Sequence, residues 1–287
     1  MIAELIFRFC GESLVLDSEA RSSAPGEFVE LPDGIVHYEM AGPSNGQTVV
    51  LVHGFSTPYH TWDAAFDALT EAGFRVLRYD LYGRGYSDRP NTAYTADFYD
   101  RQLRGLLSVL NVNEPVDLIG FSMGGAISAI FTDRHPDKVR KLGLIDTAGF
   151  PPRQTLASRL GLAPVVGELL MCFYYRTEKH SEKNRTQMRY KGFRRALLST
   201  VRHGTLDDLT ETYKRVGEQK RPVLLIWGRE DQTIPFDTHK QVEQAIPHLE
   251  FHAIDEAGHG PHGERPELVN PLLIEFLRRR FVCTSVA

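Results

Sequence analysis

The chain is short of several things at once. Its 287 residues contain three cysteines, two tryptophans, no excess of positive charge and no apolar run near the roughly 18 residues that span a bilayer. Each shortage excludes something. Without a long apolar run there is no candidate membrane-spanning helix, and no integral membrane contact is expected. Cys10, Cys172 and Cys283 are odd in number, scattered and without metal-ligand spacing. They predict isolated thiols in a reducing compartment, with neither a disulfide framework nor a metal site. A formal net charge of −4 argues against nucleic acid as the main partner, because a phosphate backbone calls for a basic face. The first ten residues are apolar but lack a basic start and are broken by Glu4 and Arg8, so they do not read as a signal peptide. A cytoplasmic location is the expectation. Residues 1–26 show no clear strand or helix period and read as an N-terminal extension that packs on the domain or frays.

What is present is an ordinary globular composition, 42% hydrophobic and 24% charged, with one informative motif. Gly120-Phe121-Ser122-Met123-Gly124 follows the apolar run Val116 to Ile119 and precedes the small-residue helix start Gly125-Ala126-Ile127. A serine at a sharp strand-to-helix turn sits on strained backbone, where flanking side chains would collide with neighbouring main chain. Glycine on both sides removes the clash. The helix that follows aims its amides and positive dipole end at Ser122.

From Glu27 the chain alternates strand and helix patterns. A hairpin turns at Pro32-Asp33-Gly34, buried strands are expected at Thr48 to Val52 and Pro222 to Trp227, and further strands at Arg75 to Tyr79, Val116 to Ile119, Val139 to Ile145 and Leu249 to Ile254. Helices are expected over 61–72, 95–110, from the serine to 135, over 236–245 and over 266–281. Buried strands separated by helices imply an α/β fold, with a mostly parallel sheet covered on both faces and its site at the carboxyl ends of the strands. Residues 151–219 break this rhythm with several helices and no strand. They read as a helical cap inserted after the sixth strand, over a core formed by residues 27–150 and 220–287.

A serine hydroxyl needs a base, and the base needs an acid partner that fixes its tautomer. Asp231 lies in the loop after the Pro222 strand and His259 in the loop after the Leu249 strand, giving the order Ser122, Asp231, His259. Glu230 and Asp146 compete for the acid role and His262 for the base. The glycine and proline around Asp231, and the two glycines flanking His259, favour the first pair. The backbone N–H groups of Met123 and Phe55 are the expected oxyanion donors. His53, Gly54, Asp80 and Arg84 read as residues that structure the adjoining loops.

With these residues in place the chain resembles the α/β-hydrolase superfamily, in its branch of capped serine esterases, from about Glu27 to Phe281. The resemblance implies an eight-stranded, mostly parallel sheet and acyl-enzyme hydrolysis of a small-molecule ester or lactone, without cofactor or metal. Relatives acting on epoxides or alkyl halides carry aspartate at the position of Ser122. The pattern also resembles esterases that open macrolide lactones, which would make the role antibiotic inactivation. Carbon–carbon bond hydrolases of ring-cleavage products are the alternative, weakened because the loop after His53 lacks their Ser-Gly-Pro-Gly stretch. A ligand-binding receptor with little turnover is the rival from another class. The apolar run Met171 to Tyr175 is a candidate pocket lining, and equally a packing surface. Residues 176–195 carry eight Lys/Arg against two Glu, which reads first as a solvated face.

Overall fold

A computed structural model describes residues 2–151, 161–175 and 182–280. Eight strands form one sheet in the order β1-β2-β4-β3-β5-β6-β7-β8. They are β1 (Glu27–Leu31), β2 (Gly34–Ala41), β3 (Thr48–Val52), β4 (Arg75–Tyr79), β5 (Val116–Phe121), β6 (Val139–Ile145), β7 (Val223–Gly228) and β8 (Glu250–Ile254). β2 runs antiparallel to both of its neighbours, and from β4 to β8 every pairing is parallel. The central strands are mostly apolar because both faces are covered: every residue of β3, β5 and β7 is buried, and the one charged side chain among them, Asp117 of β5, pairs with Arg140.

One face carries α3 (Asp63–Glu71) and the C-terminal helix Pro266–Arg278, whose Phe66, Leu69, Leu273 and Phe276 pack with Trp62 against the sheet. The other carries α4 (Ala96–Val109) and α5 (Met123–Arg134). Thr95 caps α4 by accepting the Phe98 N–H at 3.2 Å. Helix α5 is buried nearly all round, which explains its run of Gly, Ala and Ser: larger side chains would hold it off the sheet. The fold class read from the sequence is the one observed. Residue 281, the expected end of the last helix, lies outside the described residues.

Between β6 and β7 stand four described helices: α6 (Val166–Tyr174), α7 (Glu182–Met188), α8 (Phe193–Arg202) and α9 (Thr210–Glu218). The parts of the expected cap at 152–160 and 176–181 lie outside the described residues. Although α9 falls within the stretch expected to form the cap, its Tyr213 and Val216 pack with Leu144 and Leu225 of the sheet.

Of the two fates expected for the N-terminus the structure shows packing, with helices where no period was read, and the expectation of isolated thiols is corrected for Cys10 and Cys172. Residues Ile2–Phe9 form helix α1 and Ser18–Ser22 form α2. Phe7 is buried, the Glu12 carboxylate accepts the Gly192 and Arg194 N–H groups at 2.9 and 2.7 Å, and Leu14 bridges to Tyr190. Arg194 also pairs with Glu12 at 3.2 Å, both side chains buried. This strap brings Cys10 beside Cys172 of α6, and the two form a disulfide across 162 residues. Sequence spacing missed the pair because only the docking of α1 on α6 brings the two together. Cys283 lies outside the described residues.

Candidate active site

Ser122 sits between β5 and α5 with φ 55° and ψ −120°, the strained geometry expected at the turn. A Cβ at Gly124 would lie 2.1 Å from the Val52 carbonyl oxygen, and one at Gly120 would lie 2.2 Å from that of Gly124. Glycine is therefore needed for close backbone approach at both places.

The structure brings the three candidate catalytic residues together from three loops. His259 Nε2 lies 3.0 Å from Ser122 Oγ, and His259 Nδ1 lies 2.7 Å from Asp231 Oδ2. The other oxygen of Asp231 accepts the Thr233 and Ile234 N–H groups at 2.7 and 2.9 Å, which aims its partner at the imidazole. The competitors fall away on geometry. Glu230 is exposed, one residue from the buried Asp231. His262 is buried against Trp62 and Phe121, with Nε2 on Thr61 Oγ1 at 3.2 Å; burial first and the nearby His259 second hold it down to about 3.

Asp146 is closer to the site than a bystander. At the end of β6, with φ 43°, its two carboxyl oxygens accept the Gly228 N–H and the Gly260 N–H, both at 2.9 Å. It thereby ties the loop that carries Asp231 to the loop that carries His259. Its Oδ2 is 4.0 Å from His259 Nδ1, beyond hydrogen-bond reach. Burial, reinforced by the neighbouring Asp231 charge, raises it well above the ordinary carboxyl range. Among the described residues, Asp146, Asp231 and His259 form a group whose donor atoms all lie within 4.8 Å of one another, the spacing a metal ion needs. Their atoms are already engaged by Ser122, by one another and by the two glycine amides.

The loop after β3 faces the turn at Ser122: a Cβ on Gly54 would meet the Phe121 ring at 3.0 Å and Ser122 Cβ at 3.4 Å. Neither the Phe55 nor the Met123 N–H has an acceptor among the described residues. Two unengaged amides beside a nucleophile are what a developing oxyanion requires. Arg84 fixes this loop. Its Nε donates to the Phe55 carbonyl at 2.8 Å, and its other nitrogens reach the Tyr82 carbonyl, the Tyr99 hydroxyl and Thr200 Oγ1 on α8. Sequence reading gave Arg84 a loop role but not this link to the inserted helices. His53 Nε2 accepts the Leu81 N–H at 2.9 Å and its Nδ1 meets the Gly54 carbonyl at 2.8 Å. Full burial lowers it to about 4, consistent with a neutral structural ring. Asp80 accepts from His37 Nδ1 and from the Tyr59 and Tyr86 N–H groups. These bonds overcome its burial and hold its carboxyl down to about 2.

Above Ser122 lies a cavity of about 900 Å³ lined by Phe55, Phe121, Leu170, Phe173, Tyr174 and Leu198 among others. The run Met171 to Tyr175 does both things the sequence allowed. Phe173 and Tyr174 line the cavity, while Tyr175 lines it and also packs with Met188, Phe193 and Leu197. Among the described lining residues none is Lys or Arg, and Glu264 is the one acid. No helix among the described residues is long and apolar enough to cross a membrane.

The family profile described as the alpha/beta hydrolase fold matches residues 47–266, from β3 past His259. The chain belongs to the alpha/beta hydrolase fold family. Within that family it is 32% identical over 266 residues to a 2-hydroxy-6-oxononadienedioate/2-hydroxy-6-oxononatrienedioate hydrolase of Paraburkholderia phymatum, covering 84% of this chain and 90% of the relative. It is 29% identical over 248 residues to a 2-hydroxymuconate semialdehyde hydrolase of a Pseudomonas species, covering 81% and 87%. Among solved alpha/beta hydrolases, the enol-lactonase of Burkholderia xenovorans superposes with a TM-score of 0.74 at 22% identity, covering 88% of this chain and all of the other.

Proposed function

We propose that this alpha/beta hydrolase is a serine enzyme that opens a carboxylic ester or lactone on a bulky, largely apolar substrate. The observation that carries the reading is the Ser122–His259–Asp231 relay opening into an apolar cavity of about 900 Å³. In this reading His259 Nε2 takes the proton of Ser122 as its oxygen attacks the carbonyl carbon. Asp231 fixes the tautomer and stabilises the imidazolium. The Phe55 and Met123 amides donate to the oxyanion, each contributing about 3 kcal/mol at the transition state. His259 then returns the proton to the leaving alcohol, and water releases the acyl group by the same steps in reverse.

A second reading has a specific observation behind it. The curated relatives are named as hydrolases of 2-hydroxy-6-oxo dienedioates and related compounds, and sequence similarity supports such a carbon–carbon hydrolase more strongly than an esterase. There the same relay adds water across a carbon–carbon bond, hydroxyl to the keto carbon and proton to the departing dienol carbon. A dienedioate brings two carboxylates, and the described lining residues offer no Lys or Arg to meet them. The described lining is otherwise largely apolar, and the ester or lactone reading rests on that. The comparisons give no support to a macrolide over other lactones, so a macrolide enters only as one test compound.

One panel separates the readings: p-nitrophenyl esters of rising length, an enol lactone, a macrolide lactone followed by mass, and a 2-hydroxy-6-oxo dienoate followed by loss of its visible absorbance. Turnover of esters or lactones that disappears in Ser122→Ala supports the first reading. Preference for the dienoate replaces it with the second, and activity retained in Ser122→Ala overturns both. Absence of turnover, with no labelling of Ser122 by a fluorophosphonate, favours the receptor.

A further inference from the structure

Helix α6 is built inside out. Its one charged side chain, Glu168, points inward, 5% exposed and paired with Arg202 at 2.8 Å. Its large apolar side chains point outward, with Phe173 at 72% and Tyr174 at 74% exposure and Val166, Leu169 and Leu170 also open, as is Val165 just before the helix. Helix α1 lies against it, joined by the Cys10–Cys172 disulfide, and adds Leu5 and Phe9, the latter 92% exposed. Phe7, on the other side of α1, is buried. Twelve large hydrophobic side chains are exposed among the described residues, and ten of them fall within residues 5–15 and 165–174. Seven of the ten lie on the two clamped helices and the rest on the chain flanking them; scattered exposure is ordinary, but this concentration marks a surface that meets something other than water.

Two further observations say what that is. The patch runs into the catalytic cavity, since Leu170, Phe173 and Tyr174 belong to both. Its margin is cationic. Arg185 and Arg189 share a cleft with Phe9 and Phe173, and Lys191 lies beside Leu5 and Arg8. These four basic side chains are exposed and make no ion pair among the described residues, against the acids Glu4 and Glu182 on the same margin. An apolar face with exposed cations at its edge matches the boundary between head groups and acyl chains of an anionic lipid layer.

We propose that the α1–α6 face docks on anionic phospholipid surfaces, seating the mouth of the cavity against the layer from which apolar substrate enters. Phe9 and Phe173 insert at the acyl boundary, while Arg8, Arg185, Arg189 and Lys191 meet the phosphates. The disulfide keeps the two helices together as one docking element. Docking is independent of what Ser122 does, so it is measured in Ser122→Ala, in which vesicle lipid is left intact.

The experiment is co-sedimentation of the full-length Ser122→Ala protein with vesicles of phosphatidylcholine alone and of phosphatidylcholine with one quarter phosphatidylglycerol. Binding is expected to the mixed vesicles at 0.1 M salt, and to fall at least tenfold on pure phosphatidylcholine, at 0.5 M salt, or after adding Phe9→Ser and Phe173→Ser. Thermal melting establishes that this variant is folded, and Phe9→Ser alone, remote from the cavity, is expected to give an intermediate loss. Equal sedimentation of parent and folded variant, or no sedimentation of the parent, overturns the proposal. So does a parent dimer in sedimentation velocity that the variant abolishes, which would assign the face to a second copy of the chain.

Discussion

Replacing Asp231 by Asn tests whether the relay has one acid or two. The carboxylate lies 2.7 Å from His259 Nδ1, and Asn is nearly isosteric. Its amide oxygen can still accept from Thr233 and Ile234, so the loop should hold its shape. What disappears is the charge that stabilises the imidazolium. Two unit charges centred about 4 Å apart at an effective dielectric near 20 interact by about 4 kcal/mol, close to a thousandfold in rate. The Asn NH₂ also presents a donor to Nδ1 and favours the wrong tautomer, which brings the expected loss in kcat to roughly 10⁴. Asp146 should not rescue the variant. Its oxygen is 4.0 Å away, both oxygens are committed to the Gly228 and Gly260 amides, and burial disfavours its charge. The assay is kcat on whichever panel substrate turns over, with a thermal melt beside it. A melt near that of wild type with kcat down by three to four orders of magnitude is expected. The reasoning fails if Asp231→Asn keeps more than a tenth of wild-type kcat and loses it only when Asp146→Asn is added.

Acid should unfold the protein partly through its buried histidines. His53 and His262 stay neutral when folded, near 4 and 3 against an ordinary 6.5, so the unfolded chain takes up their protons first. Stability is then lost as pH falls below 6.5, by up to about 3 kcal/mol for His53 and about 5 kcal/mol for His262. His37, raised by its Asp80 partner against its own burial, works the other way: its contribution is full below 6.5 and fades as pH rises through its folded value. Melting temperature followed from pH 7 to 4 should fall, and fall less steeply in His262→Gln; identical slopes would count against the assignment. Reducing the Cys10–Cys172 bond, which closes a loop across 162 residues, should lower stability by about 2 to 5 kcal/mol, read as the shift in urea midpoint between Cys10→Ser/Cys172→Ser and wild type. An unchanged midpoint would mean that the strap contributes through packing alone. Gly124→Ala should be recovered unfolded or inactive, because its Cβ would stand 2.1 Å from the Val52 carbonyl; a soluble variant with full activity would contradict that geometry.

The alternation of apolar runs and helical patterns was enough to place β3, β4 and β6 residue for residue, although only β3 is an unbroken Thr, Val and Leu run and β4 and β6 bury Arg78 and Lys141 beside their Val, Leu and Ile. The loops bearing Ser122, Asp231 and His259 were legible for a related reason: each follows a strand, buried for the first two and half-buried at the sheet edge for β8, and carries glycine where the backbone must turn or crowd. The sequence read most poorly where contacts are distant and non-periodic. Nothing in the spacing of Cys10 and Cys172 announces their pairing, and Glu12 gives no local sign that it will cap α8 from 180 residues away. Helix α9 looks like its neighbours in the insertion, yet Tyr213 and Val216 send it to the sheet.

Local chemistry thus fixed the strands, the strained serine and the identity of the acid and base candidates, since each depends on a few neighbours along the chain. Tertiary structure alone decided the rest. It brought three loops to within hydrogen-bond distance, set Asp146 as the tie between two of them, and made Arg84 a link from the oxyanion loop to the inserted helices. It also folded residues 2–14 over α6, turning two scattered cysteines into a clasp and a run of apolar side chains outward. Those outcomes depend on which surfaces meet across more than a hundred residues, and no period within a single segment records that.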